Sequence, residues 1–503
     1  MKNYTERTES IKEKVAVKRK RRAAWITATA TLCVVAVLTA VCSLPIIGED
    51  IPNINAYKDD VYYPLIEKLN GSLYGYGNDK VSIFQQFGNM FQSGEASPLP
   101  DGSYVTGAAP SSPTDSDASG AGDNSYEETT LNQVDGVTEA DLLKRSSKHV
   151  FYLKQVNDAP NHLGLALDIY ELGNNTAEKI NEYKISEKDG ATFYGNSSFL
   201  DGEIYLSEDA SVVTVIVSCV IANSRVLYTA VISLDVSDPL NVAEINRSYV
   251  SGAYLSSRKV DGKLLVVTNF NVASHRIYDY SDRSYYVPRC GTLTDEGYLP
   301  LSDIYLPEQT TNNVFTVLAL FEERSLETVS QYALLSYSQN VYVSQEHIFV
   351  TRTEYQRDIS KTYCYSETEA DSEQRIDAET YNSYMTDIVV LSYKEALDKT
   401  GCVRLEGTIN DRFSMDEKDG ILRAVTTVSR GISRIWYADG TLKYVQSVTN
   451  ASLYCVDITT FETVAAVELF AENGEEVKSA RFDGDYAYVC TAVAIPTPCS
   501  SSI

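Results

Sequence analysis

An Asp-Gly pair followed by a strand-like run recurs along this chain of 503 residues. The pair opens Asp201-Gly202-Glu203-Ile204-Tyr205-Leu206, Asp261-Gly262-Lys263-Leu264-Leu265-Val266, Asp419-Gly420-Ile421-Leu422-Arg423-Ala424 and Asp483-Gly484-Asp485-Tyr486-Ala487-Tyr488. Asp-Gly tolerates positive φ and closes tight hairpins, while β-branched and aromatic neighbours suit a pleated surface. A strand unit repeated at irregular spacing reads as successive blades of an all-β propeller.

From residue 126 onward the texture supports that reading. Strand patterns occupy 147–154, 165–172, 211–221, 226–236, 314–321, 332–338, 340–351, 387–392 and 452–458, and Pro239 closes the fourth of them. Residues 355–385, charged and without apolar rhythm, read as an insertion, as do 394–399. No long amphipathic helical pattern interrupts the series, which disfavours a parallel α/β fold.

The net charge of -26 conceals a division. Residues 1–22 carry nine Lys/Arg against three Glu and form a basic tail, so the acidity belongs to everything after it. A body this acidic is repelled by phosphate backbones, which argues against a nucleic-acid partner. From Ala23 to Gly48 no Asp, Glu, Lys, Arg or His occurs, enough for a single transmembrane helix with Trp25 at its interface. The run Lys18-Arg19-Lys20-Arg21-Arg22 then stays cytoplasmic and the remainder is extracytoplasmic. The competing reading is a cleaved signal peptide, which Ala40-Val41-Cys42-Ser43 fits poorly. Residues 49–92 form a juxtamembrane segment with short helices, among them 57–69, and the Ser/Gly/Pro/Asp-rich stretch 93–125 reads as a flexible, disordered linker. The nine cysteines are widely spaced and lack a Cys-x-x-Cys pair, so most read as buried single thiols.

The run Asn132-Gln133-Val134-Asp135-Gly136-Val137-Thr138-Glu139-Ala140-Asp141-Leu142-Leu143-Lys144 resembles the opening signature of a family of bacterial exported proteins with a C-terminal β-propeller domain, many with a membrane anchor. Asn410-Asp411-Arg412-Phe413-Ser414-Met415-Asp416-Glu417 and Lys478-Ser479-Ala480-Arg481-Phe482-Asp483-Gly484 resemble later parts of the same family, so that most of 126–491 is covered. Thr138 stands where the family has Asp, and Arg145-Ser146-Ser147 where it has Thr-Asp-Gly. The resemblance implies a propeller outside the cytoplasm and supplies no established activity. It stops at the end of the chain, which reads Thr497-Pro498-Cys499-Ser500-Ser501-Ser502-Ile503. Encoded as ACC CCG TGT TCT TCA TCG ATC and read one base upstream after a G, those residues become Asp-Pro-Val-Phe-Phe-Ile-Asp, the continuation the family has. The expectation is a frame lost between about Thr491 and Thr497, an out-of-frame tail at 492–503 and a propeller incomplete at its C-terminal end.

Chemistry is sparsely signposted. Asp135, Glu139 and Asp141 are candidate calcium ligands, and Asn410, Asp411, Asp416, Glu417 and Asp419 form a second acidic group. Neither has a calcium-loop spacing, and turn capping accounts for both without a metal. No nucleophile elbow, zinc helix or phosphate loop is present, and the four histidines are scattered. Tyr278, Tyr280, Tyr285 and Tyr286 cluster in a turn-rich stretch and are candidate contacts to a ligand, although Tyr is equally a good strand residue. Two functions remain open: a membrane-tethered module that binds a cell-surface protein, peptide or glycan, and an extracytoplasmic hydrolase with carboxylates in the propeller channel.

Overall fold

Tight turns make most strands pair with a neighbour in sequence, and the computed structural model is built largely this way. It describes residues 53–74 and 133–493, apart from 135, 160–161, 197–198, 201, 222–225, 273–279, 294–296, 308–312, 339, 366–374 and 437–441. The expected membrane span at 23–48, the linker at 93–125 and the residues after 493 lie outside these. Among the described residues no helix is long and apolar enough to cross a membrane.

Blade I comprises β1 (Leu143–Arg145), β2 (His149–Ala159), β3 (His162–Gly173) and β4 (Thr176–Ile185) in that order. There follow β5 (Ala191–Phe193), the small pair β6 (Gly195–Asn196) and β7 (Phe199–Leu200), then β8 (Gly202–Leu206), β9 (Val212–Ile221), β10 (Leu227–Asp235) and β11 (Ala243–Ser251). In this blade II, β5 and β8 both pair along β9. Blade III begins with β12 (Ala253–Val260) and β13 (Lys263–Asn271); a long excursion carries β14 (Cys290–Gly291), paired to β11, and β15 (Ile304–Tyr305), paired to β17. It ends with β16 (Val314–Glu322) and β17 (Thr328–Leu334). Blade IV holds β18 (Val341–Val343), β19 (His347–Tyr365), β20 (Arg375–Ser392) and β21 (Asp398–Glu406); blade V holds β22 (Met415–Lys418), β23 (Ile421–Trp436), β24 (Leu442–Asp457) and β25 (Thr463–Val467). A last hairpin, β26 (Glu475–Asp483) and β27 (Tyr486–Val493), forms a two-stranded sheet. No pairing joins it to blade I among the described residues, so the propeller is not closed.

Middle strands such as Val-Val-Thr-Val-Ile-Val-Ser-Cys in β9 are buried along their length, because both faces meet neighbouring layers. β25 is exposed at all five positions. A threonine hydroxyl recurs as an internal clamp: Thr229, Thr316, Thr386 and Thr426 donate to Gly252, Ser336, Gly407 and Glu406 carbonyls at 2.6–3.0 Å.

Two readings of the sequence change here. Asp261-Gly262 (φ 50°, 74°) and Asp419-Gly420 (φ 52°, 75°) do close two-residue hairpins with both central residues left-handed. Gly202 instead starts β8, where a Cβ would stand 2.7 Å from the Ile216 carbonyl oxygen. The supposed insertion 355–385 is the β19–β20 hairpin, paired from Thr353↔Thr386 to Tyr365↔Arg375. Its β20 pairs further with β23 at 377–383 and 430–436, merging blades IV and V into one sheet. Backbone pairing sustains it without the apolar rhythm expected of a blade core.

Upstream, a 3-10 turn at Ile54–Tyr57 leads to α1 (Tyr63–Tyr74). Tyr62, Leu65, Ile66 and Leu69 are buried in the core shared by blades I to III, each contributing about 1.5–3 kcal/mol by the usual burial scale. Tyr62 Oη donates to the Leu299 carbonyl and Lys68 Nζ to that of Pro307, both at 2.8 Å, while Arg283 pairs with Asp60 at 3.1 Å. Residues 75–132, which include the expected linker, follow this docked helix in sequence and lie outside the described residues.

Candidate functional site

The signature residues 133–145 form a strap along the innermost strands, crossing the blades in reverse order. Gln133 Nε2 donates to the Arg412 and Met415 carbonyls at the start of blade V, at 3.1 and 3.3 Å. Gly136 turns the chain at φ 78°, with Val137 N donating to Val134 O. Val137 is buried with Val260 and Val343 of blades III and IV. Thr138 then exchanges backbone hydrogen bonds with Lys259 of β12, and Asp141 with Ile204 of β8, before the strap becomes β1.

Charges converge where the strap passes. Glu139 receives Arg412 Nη2 at 2.6 Å and Arg258 Nη2 at 3.5 Å. Lys144, buried, donates to the Glu139 carbonyl at 2.6 Å and lies over the Tyr205 ring. Burial and the neighbouring Arg258 hold the Arg412 guanidinium below its ordinary value. Beside this, Tyr254 Oη donates to Glu203 Oε2 at 2.5 Å and contacts Ser257 Oγ at 2.8 Å, which in turn meets Tyr205 Oη at 2.9 Å. Burial raises the Glu203 carboxyl, opposed by the Tyr254 bond and Arg258; it also raises Tyr254, more strongly still.

That raised value has a sign. The folded state holds the Glu203 proton more tightly than the unfolded chain, so its contribution is full below the ordinary carboxylate pKa and declines as pH rises through the folded one. Glu203→Gln keeps an acceptor for Tyr254 and removes the ionisation. The variant is expected to melt higher than the parent at pH 7.5, with the gap closing toward pH 4; a gap independent of pH rejects this account.

The other expected site residues are dispersed. Asp411 caps the turn at Arg412–Ser414, accepting from Ser414 N at 3.1 Å, and Asn410 Nδ2 reaches Asp411 and the Lys478 carbonyl. Ser414 and Met415 are fully buried, Phe413 is exposed beneath the Arg412 guanidinium, Asp416 pairs with Arg423, and Arg481 is exposed. Glu417 meets His347 Nδ1 at 3.1 Å and Ser344 Oγ at 2.5 Å. Asn132, Asp135 and Tyr278 lie outside the described residues. Among those described, no three His, Cys, Asp or Glu side chains converge on a metal position. Glu139, a calcium candidate by sequence, is occupied by two guanidiniums; Asp141 accepts from Leu142 N at 2.6 Å.

The tyrosine cluster is also reassigned. Tyr280 and Tyr286 are buried edge to face at 5.2 Å, Tyr57 packs on Tyr280, Tyr286 Oη donates to the Tyr280 carbonyl, and Tyr285 is only partly exposed. The Tyr280 and Tyr286 rings hold the excursion of blade III against the Ile54–Tyr57 turn and are buried, so neither faces solvent as a ligand contact would. Tyr286→Ala is expected to destabilise by about 3–5 kcal/mol and Tyr286→Phe by about 1 kcal/mol in urea unfolding. Equal, small losses would return the cluster to the surface.

Cys219 and Cys290 are buried free thiols pushed up to about 12 by burial, and Cys402 to about 11; such thiols are inert. Glu203, Tyr254 and Arg258 went unnoticed in the sequence. Their signal is a charged side chain inside a strand pattern beside an inward tyrosine, a weak one in so acidic a chain.

No curated protein matches the chain. Among solved structures, the β-propeller domain of the Trilobed protease from Pyrococcus furiosus, described as having an open velcro topology, is similar at 12% identity and a TM-score of 0.23, over 71% of this chain and 91% of that one. The model of the β-propeller domain family matches residues 128–495, and the chain therefore belongs to that family.

Proposed function

We propose that this protein is a binding or scaffolding module for a cell-surface protein, peptide or glycan, held at a membrane through Ala23 to Gly48 with its propeller on the extracytoplasmic side. The observation that carries the choice of binding over hydrolysis is the occupancy of the converging carboxylates. Glycoside hydrolysis by a carboxylate pair needs one acid and one free carboxylate flanking the substrate. Here Glu139 is neutralised by Arg258 and Arg412, and Glu203 is bonded to Tyr254. In this reading residues 49–53 are the covalent spacer between the anchor and the docked segment, and 93–125 serves the strap.

One observation favours the hydrolase as the second reading: a carboxyl raised by burial, as Glu203 is, has the property of a general acid. Cross-linking of the full chain in wall-stripped cells is expected to capture an extracytoplasmic partner, with residues after 53 open to added protease. Protection of those residues overturns the topology. Turnover of a glycan or peptide panel that is abolished by Glu203→Gln overturns binding in favour of hydrolysis.

A further inference from the structure

Blades I and IV open with the same turn. Ser146 N donates to the His149 carbonyl at 2.8 Å and His149 N to Ser146 Oγ at 3.0 Å; Ser344 and His347 repeat both bonds at 2.9 Å. Each histidine ring also packs on a phenylalanine two residues on, at 6.3 Å to Phe151 and 6.2 Å to Phe349. The turn is thus a scaffold that forms without a carboxylate. Blade IV adds one: Glu417, from β22 of the next blade, takes the His347 Nδ1 and Ser344 Oγ hydrogens. A half-buried carboxylate costs desolvation that this hairpin does not require.

Its consequence is chemical. In the neutral tautomer whose Nδ1–H donates to Glu417, the lone pair of His347 sits on Nε2, which makes no hydrogen bond among the described residues. His347 and Glu417 line a cleft of about 960 Å³ between blades IV and V, a size that suits a small ligand. Gln345, Thr400, Asp419 and Thr459 supply amide, hydroxyl and carboxylate groups, and Phe461 an aromatic wall. The Phe461 ring lies against Gly401, where a Cβ would stand 2.1 Å from ring carbons, so glycine there lets the wall seat. The turn carrying Phe461 (φ 59°) repeats in blade III with Leu326 (φ 53°), so the turn is shared while the aromatic ring at this cleft is particular to blade V.

Resting on the binding reading above, we propose that this cleft is a binding site for an uncharged oligosaccharide. Ring hydroxyls would donate to His347 Nε2 and Asp419, and an apolar sugar face would lie on Phe461. The cationic neighbours do not create an anion site, since Lys418 pairs with Asp485 and Lys394 with Glu346.

The test is titration of the detergent-solubilised full chain with cellotetraose, maltotetraose and chitotetraose, followed by saturation-transfer NMR and calorimetry. At least one is expected to bind, with Glu417→Ala and Phe461→Ala each weakening it about tenfold or more and His149→Ala leaving it unchanged. Thr459 is exposed, so Thr459→Trp should block the cleft without disturbing the core. The proposal is overturned if none of the three binds, if Thr459→Trp or Glu417→Ala leaves binding intact, or if only a Lys/Arg-rich peptide binds. A partner captured by cross-linking with the cleft variants unaffected would leave the binding module standing and remove this site from it.

Discussion

Glu139→Ala is expected to cost about 3–5 kcal/mol in urea unfolding, as much as the loss of the buried Tyr286 ring. The reasoning is one of stranded charge. Glu139 is the shared counter-ion of Arg258 and Arg412, and all three groups are mostly withdrawn from water. Removing one partner of such a set leaves the others uncompensated, the case in which buried ion pairs are worth most. Here the remaining guanidiniums would also repel each other. Glu139→Gln, which keeps the shape and one acceptor, should lose roughly half as much. In a double-mutant cycle, Glu139→Ala with Arg412→Ala should lose less than the sum of the two by 1 kcal/mol or more. Strict additivity, or a loss below about 1 kcal/mol for Glu139→Ala alone, would show that the strap is not fastened by this contact.

Gly407→Ala should be comparably severe, for a steric reason. Gly407 makes the crossover from blade IV to blade V at φ 99°, and a Cβ there would lie 2.6 Å from the Thr427 carbonyl oxygen and 2.9 Å from Thr426 Oγ1. Its own amide donates to Tyr384 O at 2.7 Å and its carbonyl accepts from Thr386 at 2.6 Å, so the backbone cannot retreat. Left-handed strain of about 1–3 kcal/mol and overpacking of about 1–3 kcal/mol combine to an expected loss of about 3–5 kcal/mol. Gly420 is the control: its φ is 75°, but nothing stands within 4 Å of a Cβ, so Gly420→Ala should cost only about 1 kcal/mol. Equal losses at the two positions would mean that φ alone matters and that the close approach does not.

The repeated turn and the β-branched strands were readable because local chemistry dictates them. Asp261-Gly262 and Asp419-Gly420 close hairpins wherever they are placed. Asp201-Gly202 looked identical, but Gly202 answers to a neighbouring strand, Ile216, that no local pattern announces. The signature at 132–144 was conspicuous, yet its meaning depended on partners such as Arg258 and Arg412, far along the chain. Tyrosine misled at 280 and 286 because the same ring serves a core and a binding surface equally well. The arm at 355–385 misled for the opposite reason, since main-chain pairing leaves no apolar period to see. The His347–Glu417 contact was invisible for want of any spacing rule linking two blades.

The strap also has a consequence in time. Glu139 and Arg412 are 273 residues apart, and the strap emerges from the ribosome first. At 5–20 residues per second, roughly 14–55 s pass between the synthesis of the two. Blades I to III can pair locally during that interval, but the far end of the strap has nothing to grip until the start of blade V exists. A stalled or slowed ribosome anywhere in blade IV would therefore leave a lengthening nascent chain whose inner strands are still unlaced, and the demand for chaperones should peak there rather than at either terminus.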